Sequence, residues 1–210
     1  MVKVNRSSTP KRAKASPKNP ELAYTVQLKI TLRHIQPRIW RSFYVPGDIR
    51  LDRLHNVIQV VMGWTDSHLH SFRAGNHDYV QADPHDASWK QTSGDLIIHD
   101  ERKHTLSDLV AGRGDKFDYT YDFGDGWEHE VVAVKIDPLL DRLNRALCFV
   151  GERACPPEDC HGVHGYEELC EALPNPKHPR HKELKEWIGS YDPAAFDLDG
   201  VNRLLGKIRI

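Results

Sequence analysis

Residues 117–136 read Phe117-Asp-Tyr-Thr-Tyr-Asp-Phe-Gly-Asp-Gly-Trp-Glu-His-Glu-Val-Val-Ala-Val-Lys-Ile136. How this stretch folds back on itself decides the fold. Phe117, Tyr119, Tyr121 and Phe123 point one way and Asp118, Thr120 and Asp122 the other, which is the period of a half-buried strand. Asp125-Gly126 is a favoured two-residue hairpin turn. Closing the hairpin there pairs Gly124 with Trp127, Phe123 with Glu128 and Asp122 with His129. A four-residue loop keeps that pairing and a three-residue loop does not. Opposed side chains lie about 5 Å apart, so Asp122 is expected to hold the His129 imidazole, fixing its tautomer and raising its basicity. Such a couple suits a general base or a metal ligand; the plainer alternative is a structural pair closing an edge hairpin. Asp122, Glu128 and His129 are therefore the candidate catalytic residues, with Trp64 and Trp127 beside them as candidate pocket walls. Asp125 mainly serves the turn.

Outward from the hairpin, Tyr24, Val26, Leu28, Ile30 and Leu32 alternate with polar residues and predict a strand. Ile39 to Val45 predicts its return, ended by Pro46-Gly47. Leu51, Leu54, Ile58, Val61 and Met62 recur at helical spacing, with Gly63 as the stop. His55 lies near that apolar face and is expected to be a satisfied core residue. Leu96 to His99 predicts a short strand, and Thr105-Leu-Ser-Asp108 a capping box. A Pro/Cys-rich loop spans 151–165, and helices are expected at 166–173, 179–189 and 198–207. Strands followed by helices make the fold class α+β: an antiparallel sheet of hairpins, with helices on one side and at the C-terminus. Residues 22–210 are expected to form one domain, its helical part at about 166–208.

The chain has 210 residues, 39% hydrophobic, with a net charge of −1. That suffices for a sizeable core. No apolar run approaches the roughly 18 residues of a membrane span, and the polar N-terminus shows no signal-peptide pattern. Four cysteines in such a chain point to a reducing, cytoplasmic setting rather than a disulfide scaffold. Lys3, Arg6, Lys11, Arg12, Lys14 and Lys18 give residues 1–20 a charge of +6, leaving −7 for the rest. With its prolines and serines, the segment 1–21 reads as a disordered basic tail. Lys11, Arg12, Lys14 and Lys18 are candidates for salt-dependent contact with DNA phosphates, against the plainer role of a solubilising terminus.

Two further clusters bear on metals. His68-Leu69-His70 would place both imidazoles on one face of a strand. Cys155-Pro-Pro-Glu-Asp-Cys160-His161-Gly-Val-His164 resembles half of a zinc site. The candidate ligands are thus His68, His70, His129, Cys155, Cys160 and His164, with zinc as the possible cofactor; the alternative is that the two thiols are simply buried. There is no phosphate loop, dinucleotide fingerprint or nucleophile elbow.

Ile35-Gln-Pro-Arg-Ile-Trp-Arg41, Met62-Gly-Trp-Thr-Asp-Ser-His-Leu-His-Ser-Phe72, Tyr119 to His129, Cys155 to Cys160 and Tyr191 to Asp199 together resemble the plasmid pRiA ORF-three-like family. Its members include resolvase-labelled passenger proteins of insertion elements. The resemblance covers about residues 22–208 and implies an α/β-roll-like single domain, but no defined activity. It also implies Gly-Gly after Cys160, where this chain has His161-Gly162, so His161 ranks below the other histidines. Two functions compete. One is a binding or accessory protein of mobile elements, contacting DNA through its tail. The other is a metal-dependent hydrolase using the Asp/His hairpin and the His-x-His strand.

Overall fold

Strand β1 (Thr25–Leu32) turns Val26, Leu28, Ile30 and Leu32 into the core and its alternate residues outward, as its period requires. The computed structural model describes residues 24–83, 85, 95–137 and 143–210. The basic tail and part of the polar stretch 81–95 lie outside them. Strand β1 pairs antiparallel with β2 (Trp40–Pro46) and with β7 (Trp127–Asp137). The remaining strands are β3 (His70–Ala74), β4 (His77–Val80), β5 (Ile97–Asp100), β6 (Lys116–Tyr121) and β8 (Leu147–Glu152).

Together they form one eight-stranded sheet in the order β5-β4-β3-β6-β7-β1-β2-β8. Hairpin pairing dominates, and β4 with β5 is the one parallel pair among the described residues. The fold is α+β, with helices packed against the sheet and gathered at the C-terminus. No helix is long and apolar enough to cross a membrane among the described residues.

Helix α1 (Leu51–Met62) lays Leu51, Leu54, Val57, Ile58 and Val61 on the inner face, and Gly63 ends it in the left-handed region at φ 106°. Short α2 (Leu106–Leu109) opens with the expected capping box, Asp108 Oδ2 accepting from the Thr105 amide at 2.8 Å. Helices α3 (Gly162–Ala172), α4 (His181–Ile188) and α5 (Leu198–Leu205) follow. Strand β8 has no counterpart in the sequence reading. Only Cys148 of its residues is buried, so it carries no alternation. Its outer edge is closed instead by α5, where Asn202 donates to the Cys148 carbonyl (2.8 Å) and accepts from its amide (3.0 Å).

The hairpin differs from its expected register. Strands β6 and β7 pair Tyr121 with Trp127 and Tyr119 with His129, leaving residues 122–126 as a five-residue loop. The partner of His129 is thus Tyr119, three residues before Asp122. An odd shift changes faces, so His129 is carried into the core and away from Asp122. The cause is local. Asp122 leaves the strand in the left-handed region (φ 54°), and its backbone carbonyl accepts from Gly126 N–H at 2.7 Å. The loop therefore closes before the Asp125-Gly126 turn could act.

Arg41 joins these elements. The residue is 1% exposed, and among the described residues its guanidinium pairs with no carboxylate. It donates to the carbonyls of Val61 (2.7 Å), Trp40 (2.9 Å), Glu152 (2.7 Å) and Arg153 (2.7 Å), and lies 4.1 Å from the Phe196 ring centroid. Removing it strands four carbonyls, at about 1–3 kcal/mol for each one left dry. Arg41→Met is expected to lower unfolding stability by about 4 kcal/mol, read as a shift of the urea midpoint. A loss below about 1 kcal/mol would show that water replaces the guanidinium.

Candidate metal centre

Three loops converge beyond the ends of α1, β6 and β8. The first runs from Trp64 to Leu69 and carries His68. The second is the hairpin loop 122–126, and the third runs from Arg153 to His161. They are stitched together by specific bonds. Trp64 Nε1 donates to the Pro156 carbonyl at 3.0 Å, and the Thr65 amide donates to Glu158 Oε1 at 2.9 Å. The Tyr121 hydroxyl donates to Glu158 Oε1 at 3.0 Å while accepting from the Ser67 amide at 2.9 Å. Burial first, and then the Glu158 charge, push the Tyr121 phenol well above its ordinary range, so it remains a donor. Gly162 completes the fit, because a Cβ there would lie 2.6 Å from the Asp125 carbonyl oxygen.

At the centre is His68 Nε2. It lies 3.1 Å from Asp159 Oδ1, 3.7 Å from Asp122 Oδ2 and 3.8 Å from Glu158 Oε2. The nitrogen itself is buried and makes no well-formed hydrogen bond. Ligand atoms from His68, Asp122 and Asp159 all lie within 4.8 Å of one another, the one such trio among the described residues. Donors about 2.1 Å from a tetrahedral ion would be about 3.4 Å apart, so the spacing suits a divalent cation. The charge argues the same way. Three carboxylates face one imidazole, and among the described residues no lysine or arginine pairs with them. Asp122 is oriented by its own loop, its Oδ1 accepting from the amides of Gly124 (2.9 Å) and Asp125 (3.3 Å) and leaving Oδ2 toward His68.

The other candidates lie elsewhere. His68 precedes β3 and His70 opens it, so the two imidazoles do not share a strand face. His70 turns into the core, where its Nε2 is 2.7 Å from Glu101 Oε2 and its ring stacks on His55 at 3.4 Å. His129 is fully buried and donates from Nδ1 to the Tyr119 carbonyl at 3.1 Å. Glu128 is on the outer face, beside His34 (3.5 Å) and Arg33 (4.0 Å). Cys155 and Cys160 are buried free thiols; burial raises the first well above its usual value and pushes the second up to about 12. The His164 side chain is 99% exposed and pairs only loosely with Glu167. Trp64 and Trp127 are core residues, their ring centroids 6.2 Å apart. Asp159 and Glu158, absent from the sequence candidates, supply two of the three acids of the cluster.

His55 is the satisfied core residue expected of it. Gln59 Nε2 donates to the Tyr119 hydroxyl (3.0 Å), which donates to His55 Nδ1 (2.8 Å). His55 Nε2–H donates to Asp66 Oδ1 (2.8 Å), and the Asp66 amide returns to Gln59 Oε1 (2.8 Å), closing a ring. Burial, then His70, hold the His55 pKa at about 4; burial holds His129 at about 3.

Residues 24–200 match the plasmid pRiA4b ORF-3-like proteins. The chain belongs to that family. It is 43% identical over 190 residues to an uncharacterized protein, y4hQ, of Sinorhizobium fredii (strain NBRC 101917 / NGR234), covering 89% of this chain and 93% of that one. It also resembles the crystal structure of MM3350, a protein of unknown function from Methanosarcina mazei Go1. That match has a TM-score of 0.72 and 34% identity, over 85% of this chain and 97% of the other. These family relatives carry no stated activity, so a chemical reading rests on the site itself.

His55 and His129 predict an acid response. Both are neutral in the fold and take up protons on unfolding once the pH falls below about 6.5. Stability is therefore full above that pH and is lost toward pH 4, at about 1.4 kcal/mol per pH unit for each histidine. Urea titrations between pH 7 and 5 should show this slope, and His129→Gln should remove about half of it.

Proposed function

We propose that the protein binds one divalent cation, Zn²⁺ or Mn²⁺, among His68, Asp122 and Asp159, and uses it as a hydrolase. The observation that carries the reading is the trio of ligand atoms within 4.8 Å around a buried imidazole nitrogen that has no hydrogen bond. A donor set of one imidazole and carboxylates suits zinc or manganese. Three protein ligands would leave a position for water, whose acidity the ion raises. Glu158 takes the proton-moving role that the sequence reading gave to Glu128, because it faces the cluster and Glu128 does not. The four free cysteines support a reducing, cytoplasmic location.

Calorimetry on chelator-treated protein should find one Zn²⁺ or Mn²⁺ per chain. Asp159→Asn and Asp122→Asn should each weaken binding at least tenfold, and His164→Ala should not change it. Glu158→Gln should keep the ion yet abolish ion-dependent hydrolysis of p-nitrophenyl phosphate. Absence of a stoichiometric ion at any pH from 6 to 8 would end the reading, with His68 then serving as a plain counter-ion.

DNA contact through Lys11, Arg12, Lys14 and Lys18 is a separate proposal, supported by the charge contrast between tail and body. Deleting residues 1–20 should abolish salt-dependent retention of a DNA duplex.

A further inference from the structure

Helix α1 buries one face against the sheet and leaves Arg53, Asn56 and Val60 on the other, at the i, i+3, i+7 spacing of a helical stripe. The segment following α5 runs across this stripe. Ile208 packs against the core, which leaves its neighbours Lys207 and Arg209 exposed on either side. Between helix and segment is an open cleft offering about 480 Å³ of space.

Its lining is strongly biased in charge. Arg53, Lys207 and Arg209 contribute three cations and Asp66 the single acid. Among the described residues neither Lys207 nor Arg209 forms an ion pair, and Arg53 reaches only Asp52, at 3.7 Å. Asp66 is already engaged, its Oδ1 accepting from His55 Nε2. Val60, Trp64 and Ile208 supply an apolar floor. The wall is also rigid, because Gln59 and Asp66 both belong to the closed hydrogen-bonded ring around His55 and Tyr119. Preorganised polar groups lose little freedom when a ligand arrives.

We propose that this cleft binds a small phosphate-bearing molecule with an apolar or aromatic body, of about nucleotide size. A phosphate offers several oxygens to the Arg209 fork and the Lys207 ammonium, in charge-assisted bonds that a neutral ligand could not form. The volume exceeds what a bare phosphate fills, and the floor of Val60, Trp64 and Ile208 accounts for the remainder. The inference does not rest on the metal reading, since none of these residues belongs to the His68 cluster. The two sites are nevertheless neighbours: Thr65, in the cleft wall, bonds Glu158 through both its amide (2.9 Å) and its hydroxyl (3.1 Å).

The test is calorimetric titration of the full chain in EDTA with adenosine monophosphate, and separately with inorganic phosphate. Saturable binding of the nucleotide is expected, with inorganic phosphate at least tenfold weaker. The double substitution Lys207→Ala/Arg209→Ala, at exposed positions, should weaken nucleotide binding at least tenfold with an unchanged melting temperature. The double substitution Lys182→Ala/Lys185→Ala on α4 should leave it unaltered. No saturable nucleotide binding up to millimolar concentration would overturn the proposal, as would equal losses from the two double variants. Binding of a 20-base-pair duplex through Lys207 and Arg209 without binding of the mononucleotide would overturn the small-molecule assignment. Because EDTA is present throughout, failure of the metal site cannot mimic any of these results.

Discussion

The buried guanidinium of Arg41 is the interaction on which the geometry of the site depends. Its planar fork reaches four carbonyls from three places in the chain: Trp40 on β2, Val61 near the end of α1, and Glu152 and Arg153 where β8 stops. The loop bearing His68 begins just after Val61, and the loop bearing Glu158 and Asp159 begins at Arg153. One side chain therefore sets where both loops leave the sheet. A lysine could not do this, because three donors on one nitrogen cannot span four acceptors in a plane. The charge is tolerated without a carboxylate because carbonyl dipoles surround it, and the Phe196 ring lies 4.1 Å away.

Beside this lies a polar interior in which one ring of hydrogen bonds closes on itself, while His70 Nδ1 and His129 Nε2 are buried without a partner. The ring of Gln59, Tyr119, His55 and Asp66 uses each hydrogen once, which fixes His55 as the neutral Nε2–H tautomer. A protonated His55 would lose the Tyr119 donor and would face a second imidazole stacked 3.4 Å away. Burial first and His70 second depress the pKa, against the Asp66 hydrogen bond, which raises it. His70 and Glu101, almost wholly buried, form a second pair against this ring. A closed ring such as that of Gln59, Tyr119, His55 and Asp66 specifies a unique packing. It also holds the 64–69 loop, since Asp66 is anchored by its amide and its carboxylate at once.

The strands and helices with strong periodicity were legible in the sequence. Alternation in Val26 to Leu32 gave the inner face of β1, and the recurrence of Leu51, Leu54, Ile58 and Val61 gave α1, because burial of one face imposes those periods. Strand β8 was not, since its partners are β2 on one side and the Asn202 amide on the other, and neither demands alternation. The site was half legible. His68 and Asp122 stood among the candidates, but Asp122 was paired with the wrong histidine. Pattern alone fixes the register of β6 and β7 only if the turn is known, and a left-handed Asp122 moved the turn. Glu158 and Asp159 lay in full view between Cys155 and Cys160. The spacing of the thiols suits half a zinc site, but in the fold it is the exposed carboxylate of Asp159 that reaches His68.

Backbone strain marks the same place independently. Asp66, Asp122, Asp159 and His161 all adopt positive φ (58°, 54°, 57° and 69°), and all lie in or beside the three converging loops. Residues in that region cost about 1 kcal/mol or more relative to ordinary conformations, and persist where surrounding structure over-determines them. Aspartate tolerates the conformation best among charged residues, because its short side chain bonds nearby amides, as Asp122 does with Gly124 and Asp125. Two of these strained aspartates are the ones that point carboxylates at His68. His161 has no such compensation: its side chain makes no cap bond and it precedes Gly162, itself at φ 68°. A helix that starts from two consecutive left-handed residues suits Gly-Gly, the pair that the family resemblance implies. Strain at Asp122 and Asp159 thus accompanies the turn of their carboxylates toward His68, while strain at His161 accompanies the entry of the chain into α3.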